Sequence, residues 1–303
     1  MKKVKNIIIL IFLFNIILQL FMNNELIRNV IYFSYELFII NVLPNLFPFL
    51  VLSNLLINYG FVDICSKLFN PIMKKLFKMS GNCSFIFIMS LLTGFPSNAK
   101  YTKELLSNNQ INDKEASKIL MFTHFSNPLF VIGMINVFIN MRCAVIILLC
   151  HYLGNIIIGI LFRNLYVSNN YSNKIKNKQE SFGICFSKSI KNSIDTLLLI
   201  FGVMTCFLIF TSIIQNIFNL NPFYKALIGG ILEFTQGLKY VSLLPINTKI
   251  KSIIMEMFIS FGGISVHMQV LSIISDTKIK YKLFFIARLL HSLISGLLVY
   301  ILI

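Results

Sequence analysis

Long apolar runs dominate the chain, and their lengths set the class of fold. Residues 7–22, 29–58, 119–139, 143–162, 196–218, 252–275 and 283–303 carry few or no charges. Most reach the roughly 20 residues that a helix needs to cross about 30 Å of hydrocarbon. A stretch at 62–79, holding Lys67, Lys74, Lys75 and Lys78, is amphipathic instead. Two further apolar runs, 84–106 and 222–244, are interrupted by Gly94–Pro96 and by Gly229, Gly230 and Gly237. Irregular backbone at membrane depth is tolerated only where protein or a watery cavity surrounds it. Both runs are therefore expected to be re-entrant helical hairpins.

The pattern occurs twice. In "TGFPSNAKYTKELL" (93–106) and "LEFTQGLKYVSLLP" (232–245), Phe95, Lys100 and Tyr101 fall on Phe234, Lys239 and Tyr240 at a constant offset of 139. The next spans carry matched interruptions, "THFSNPLFVIGM" (123–134) and "ISFGGISVHMQV" (259–270), with Phe125 over Phe261. Lysines and arginines concentrate on cytoplasmic loops, and 163–191 carries six of them against Glu180 alone. That segment and the N-terminus are expected inside, with 219–221 and 245–251 on the far side; Lys249 and Lys251 run against the rule. The two halves then point in opposite directions. The expected fold is an all-α polytopic membrane protein with inverted structural repeats, two re-entrant hairpins and broken transmembrane helices. It divides into an anchor helix (1–29), a first repeat (30–162), a basic cytoplasmic linker (163–189) and a second repeat with the terminal helix (190–303). Inverted repeats whose broken helices meet at the midplane are an architecture of secondary transporters.

Composition narrows the function by exclusion. Hydrophobic residues are 56% of 303 and mean hydropathy is +0.79, too apolar for a soluble domain. The net charge of +16 comes from basic residues between spans, where topology accounts for it, so no nucleic-acid partner is expected. Lys2, Lys3 and Lys5 precede an apolar run as in a secretory signal, but "QLFMNNELIR" offers no small-residue cleavage site, which reads as a retained anchor. Cys65, Cys83, Cys143, Cys150, Cys185 and Cys206 show no C-x-x-C or metal spacing and read as small buried hydrophobes. No phosphate loop, H-E-x-x-H or Ser–His–Asp set is present. Neither enzyme chemistry, a metal nor a cofactor is expected.

At the broken segments the chain resembles a known family. "GFPSNAKYTKELL", "FTHFSNPLFVIGM", "GILEFTQGLKYVS", "ISFGGISVHMQVLSII" and "ARLLHSLISGLL", in that order, with the earlier "VLPNLFPFLVLSNLL" (42–56), are similar to the YlbJ-type sporulation integral membrane proteins. Those belong to the wider nucleoside-recognition, or Gate, group. The resemblance spans roughly residues 30 to 300. It implies a role in endospore formation, moving dipicolinic acid out of the mother cell toward the forespore. One departure is Asn98, where the family's Gly-[Phe/Tyr]-Pro-x-Gly-Ala-Lys motif has glycine.

The candidate site residues follow from cost and position. A lysine at membrane depth costs a few kcal/mol to insert, so Lys100 and Lys239, matched in the two repeats, are expected to hold a dicarboxylate; anchoring at the interface is the plainer reading. Pro96, Ser97 and Asn98, with Ser126, Asn127 and Pro128, would expose N–H groups at helix starts, which can bind a carboxylate. Ser and Asn also simply join helices in membranes. Glu233 and Gln236 occupy the second hairpin, where Glu233 is expected to couple a proton or to pair with a lysine. Gly262 and Gly263 permit close backbone approach, and Ser265, His267 and Gln269 follow on the same broken span. Arg288 and His291 are expected to pair with Glu256 or to sit at the interface. His124, His151 and Asp195 read as structural.

The expected protein is thus a sporulation transporter of an anionic aromatic dicarboxylate, using alternating access and driven by a gradient or a partner. It would sit in the mother-cell-derived outer forespore membrane, with lipid around it and a second copy or other sporulation membrane proteins as neighbours. A nucleoside-type permease and a non-transporting envelope protein are the rival readings.

Overall fold

The computed structural model describes residues 2–167 and 181–303. Lys174, Lys176, Lys178 and Glu180 of the linker lie outside the described residues. Among the described residues every regular element is helical. Five helical runs are long and apolar enough to cross a membrane: Asn24–Asn58, Met141–Leu161, Phe182–Ile217, Thr248–Ile274 and Tyr281–Leu302.

After α1 (Lys2–Met22), the first run joins α2 (Asn24–Glu36), a π-helical turn (Leu37–Val42) and α3 (Leu43–Asn58). It begins five residues before the span expected at 29. Pro44 opens α3 and Pro48 lies within it. Each removes an N–H and crowds the carbonyl four residues back, which widens the turn ahead of them. The Asn45 side chain donates to the Asn41 carbonyl at 2.7 Å in that region. α4 (Phe61–Ile72) and a second π turn (Met73–Phe77) form the amphipathic segment. Its end is held by Lys118, fully buried, whose Nζ donates to the carbonyls of Phe77 (2.7 Å) and Arg163 (2.8 Å). A cation suits those carbonyls at helix C-termini.

The remaining helices fall into two series of the same order. In the first, α5 (Cys83–Thr93) and α6 (Ser97–Ser107) form an interrupted pair, α7 (Asp113–Phe122) and α8 (Pro128–Phe138) a second, and α9 (Met141–Leu161) is unbroken. The long α10 (Phe182–Ile217) leads into the second series. There α11 (Pro222–Leu232) and α12 (Phe234–Leu243) pair, α13 (Thr248–Phe261) and α14 (Gly263–Ile274) pair, and α15 (Tyr281–Leu302) is unbroken. Asparagine starts many of these helices. Asn112, Asn140, Asn221 and Asn247 each accept a backbone N–H from the first turn that follows, which satisfies donors the helix itself cannot. The α11–α12 arms touch backbone to backbone, since a methyl group on Gly237 would collide with Gly230. Five cysteines are buried, Cys206 is exposed, and no disulfide joins them.

Candidate functional site

Four helix interruptions meet inside the protein. In the first series the Phe95 N–H donates to the Phe125 carbonyl at 2.7 Å, joining the α5–α6 break to the α7–α8 break. Gly94, at φ 80° and ψ 179°, lies directly against the backbone of Asn127. The second series has the corresponding contact. Gly263, at φ 67°, sits so close to the α11–α12 break that a Cβ would stand 3.0 Å from Phe234 N and 3.2 Å from Leu232 O. The series then touch each other through Phe95 and Phe234, the pair matched in sequence, whose rings meet edge to face at 5.6 Å. His124 stacks on the other side of this junction, 4.5 Å from the Phe95 ring.

Each interruption is also the start of a helix. Asn127 Oδ1 accepts from the N–H groups of Leu129 (2.9 Å) and Phe130 (3.2 Å). Its Nδ2 reaches back to the carbonyls of Leu92 (3.3 Å) and Thr93 (3.4 Å). Glu233 Oε1 accepts from the N–H (3.2 Å) and hydroxyl (2.9 Å) of Thr235. A polar residue that caps one half-helix thus also faces the space between them.

That space is a cavity of ≈ 70 Å³. Its wall joins the rings of Phe95, Phe130 and Phe234 to polar groups of Asn41, Asn45 and Thr235. Of the sequence-predicted residues, Pro96, Ser126, Asn127, Glu233 and Gln269 line it. Among the described residues Glu233 is its one ionisable group, and no Lys or Arg reaches it. At about 10–15 Å³ per water, the cavity holds roughly five waters.

The other predicted residues lie around this centre or away from it. Ser97 and Asn98 are fully buried in the first turn of α6, and neither the Ser97 hydroxyl nor the Asn98 amide has a hydrogen-bond partner among the described residues. Ser265 is buried beside Glu233, and Gln236 Nε2 donates to Ser212 Oγ of α10 at 3.2 Å. Gly262 and Gly263 form the α13–α14 break, both at positive φ. His267 is occupied elsewhere, with Nδ1 2.8 Å from the Tyr281 hydroxyl and Nε2 3.1 Å from the Phe261 carbonyl. The two lysines do not meet at the cavity. Lys100 Nζ donates to the Asn192 carbonyl of α10 at 2.9 Å. Lys239 is exposed and lies over the Phe33 ring at 4.5 Å. Glu233 forms no ion pair among the described residues.

A polar cluster lies behind the cavity; the sequence marked Arg288, His291 and Glu256 as a pairing and His151 as structural, but not their assembly. His151 and Asn155 of α9, Glu256 and Ser260 of α13, and Arg288 and His291 of α15 are all fully buried. Glu256 Oε1 is 2.5 Å from Ser260 Oγ and 3.3 Å from His151 Nδ1. Arg288 does not pair with Glu256. Its guanidinium reaches His291 Nδ1 (2.8 Å), Asn155 Oδ1 (3.0 Å) and the Met121 carbonyl. The signal available in sequence was a lone acid and a lone arginine in otherwise apolar spans, a placement that usually marks function.

Known sequences resemble this chain. A family model described as Gate, nucleoside recognition, matches residues 39–150, from the first π turn through the α5–α6 pair to α9. Over 300 aligned positions the chain is 31% identical to the sporulation integral membrane protein YlbJ of Bacillus subtilis (strain 168), covering 86% of this chain and 74% of that one. The chain belongs to the YlbJ family. With five helical runs of membrane-crossing length, this YlbJ-family protein is a multi-pass integral membrane protein. The Gate match ends before α10, so the second helix series of this YlbJ relative lies outside it. No solved structure matches the chain.

Proposed function

We propose that this YlbJ-family protein is a sporulation membrane transporter that moves a small planar aromatic dicarboxylate, dipicolinate, from the mother cell toward the forespore. The observation that carries this reading is the meeting of four helix interruptions at one cavity. In the proposed arrangement α5–α6 and α11–α12 are hairpins entering from opposite faces, and the two helix series are inverted repeats. Broken helices meeting at the midplane are how secondary transporters build a site reachable from either side.

The chemistry of the wall supports an anionic aromatic guest. α6, α8, α12 and α14 all begin at the interruptions. A helix N-terminus carries roughly half a positive charge, so four amount to about two, set against at most one negative charge on Glu233. The Phe95, Phe130 and Phe234 rings offer apolar faces to a flat ring. Asn41, Asn45, Asn127 and Gln269 supply donors at its edges. A neutral nucleoside would use the same amides together with the Glu233 carboxylate, which keeps it as the rival guest.

Uptake of labelled dipicolinate into proteoliposomes tests the reading. Saturable uptake is expected, competed by unlabelled dipicolinate and not by uridine. Uptake of labelled uridine with no dipicolinate flux would favour the nucleoside permease. Absence of flux for both would leave the envelope-protein reading in its place.

A further inference from the structure

The polar cluster behind the cavity has a hydrogen-bond pattern that fixes where its protons lie. The Ser126 N–H donates to His151 Nε2 at 2.9 Å. A backbone N–H can only donate, so Nε2 is the bare nitrogen, and the single ring proton sits on Nδ1. Nδ1 faces Ser260 Oγ at 3.0 Å and Glu256 Oε1 at 3.3 Å. Ser260 in turn donates to Glu256 Oε1 at 2.5 Å. Glu256 Oε2 is buried with no hydrogen-bond partner among the described residues, and Ser295 lies beside this carboxyl group. His151 thus turns its Nδ1–H toward Glu256, and the second Glu256 oxygen is an open place for a proton.

The surrounding groups are committed. Arg288 can only donate, so His291 Nδ1 accepts from it, and His291 Nε2–H donates to the His151 carbonyl at 2.8 Å. Atoms of His151, Glu256 and His291 come within 4.8 Å of one another, a spacing open to a metal ion. Both His291 nitrogens are nevertheless in use, His151 Nε2 is held by Ser126, and Arg288 places a cation against the set. Such a site suits a proton better than a divalent ion. The groups around His151 are Glu256 on α13, Arg288 and His291 on α15, His124 in the 123–127 break, and Cys150 and Tyr152 on α9 itself. His267 on α14 is occupied by Tyr281 and Phe261. His124 has both ring nitrogens unpartnered among the described residues and is the competing acceptor.

We propose that His151 and Glu256 form a proton-binding dyad that couples proton movement to occupancy of the cavity, an inference that rests on the transport reading above. Ser126 is the link, since its side lines the cavity while its N–H is bonded to His151. A proton arriving at Nε2 must break that bond and release the α7–α8 interruption. A proton arriving on Glu256 instead weakens its hold on Ser260, two residues before the Gly262 interruption. Both broken helices thus sense the same proton. A dicarboxylate entering a wall without Lys or Arg brings two negative charges, and a proton behind Ser126 offsets one of them. Because linkage is reciprocal, bound anion favours the proton and the bound proton favours the anion.

The test uses the full chain in proteoliposomes with a trapped pH dye and labelled dipicolinate. An acid-outside gradient is expected to accelerate uptake, and dipicolinate addition without a gradient to acidify the lumen. In Glu256→Gln and His151→Gln the ratio of uptake with the gradient to uptake without it is expected to fall to one, whatever the absolute rate. His124→Gln, replacing the competing acceptor, is expected to keep a ratio above one. A residue that only supported the fold would lower the rate and leave the ratio unchanged. If the dyad variants fail to insert, lumen acidification by the unaltered protein decides alone. Dipicolinate counterflow without proton movement would overturn the dyad and spare the transport reading. Absence of counterflow in the unaltered protein would overturn the transport reading, and the dyad with it.

Discussion

Gly94→Ala should unseat the junction of the four interruptions. Gly94 stands at φ 80° and ψ 179°, a region open in practice only to glycine. Forcing alanine into it costs about 1–3 kcal/mol. The new methyl group would also stand 3.0 Å from Asn127 Cα and Cβ and closer still to Asn127 N. Carbon atoms prefer about 3.5–4.0 Å, so the α5–α6 break must back away by at least several tenths of an ångström. Overpacking of this kind costs about 1–3 kcal/mol. The same movement stretches the Phe95–Phe125 hydrogen bond of 2.7 Å. The two costs together reach about 2–6 kcal/mol, a large part of the roughly 5–15 kcal/mol that holds a typical domain. Thermal denaturation of the detergent-solubilised protein reads this directly, with Gly133→Ala in α8 as the control. No atom lies within 4 Å of a Cβ at Gly133, so that change should be neutral or stabilising by about 0.5–1 kcal/mol. Equal melting temperatures for Gly94→Ala and the unaltered protein would mean that the α5–α6 break does not rest on Asn127.

Three further outcomes follow from named contacts. Asn127→Leu removes the acceptor for two N–H groups at the start of α8 and should cost about 1–2 kcal/mol; Asn127→Asp keeps the cap but loses the donor to Leu92 O and Thr93 O, and should recover only part of it in the same melting assay. Lys100→Ala and Lys239→Ala should each keep most dipicolinate uptake, because their amines end on Asn192 O and over Phe33; severe loss in both would restore them as a paired anion site. Lys103 lies 2.8 Å from Asp276 outside the spans, and its hydrogen bond holds the Asp276 carboxyl below its ordinary range. A depressed carboxylate stabilises the fold above its unfolded pKa and loses that stabilisation as the pH falls. The small effect of Lys103→Ala on melting should therefore be present at neutral pH and vanish in acid.

The spans and three of the four interruptions were legible because they are written in local sequence; the fourth falls at Glu233, with Gly229 and Gly230 inside α11 and Gly237 inside α12. Apolar length marks a crossing helix, and Gly94–Pro96, Asn127–Pro128 and Gly262–Gly263 each stand where the next helix starts. The match of Phe95 with Phe234 carried further, since the two rings meet in space. The matched lysines end away from the cavity for a geometric reason. At about 1.5 Å per residue, Lys100 and Lys239 lie one to two turns beyond the tips, where a helix has already turned toward its neighbours. Asn41 and Asn45 were not singled out because only the Pro44 turn aims that segment at the cavity. The His151–Glu256 and Arg288–His291 contacts depend on how α9, α13 and α15 rotate against one another. A lone polar residue in an apolar span reports that a partner exists and not which helix supplies it.

Cysteine accessibility in the cavity wall tests the central claim most directly. Thr235 lines the cavity just beyond the Glu233 interruption, and Thr235→Cys can be introduced after replacing the six native cysteines. In membrane vesicles of both orientations, an impermeant thiol reagent should label position 235 from either face, and dipicolinate should slow the labelling from both. Labelling from one face only, or labelling that dipicolinate leaves unchanged, would contradict a substrate site exposed alternately to the two sides.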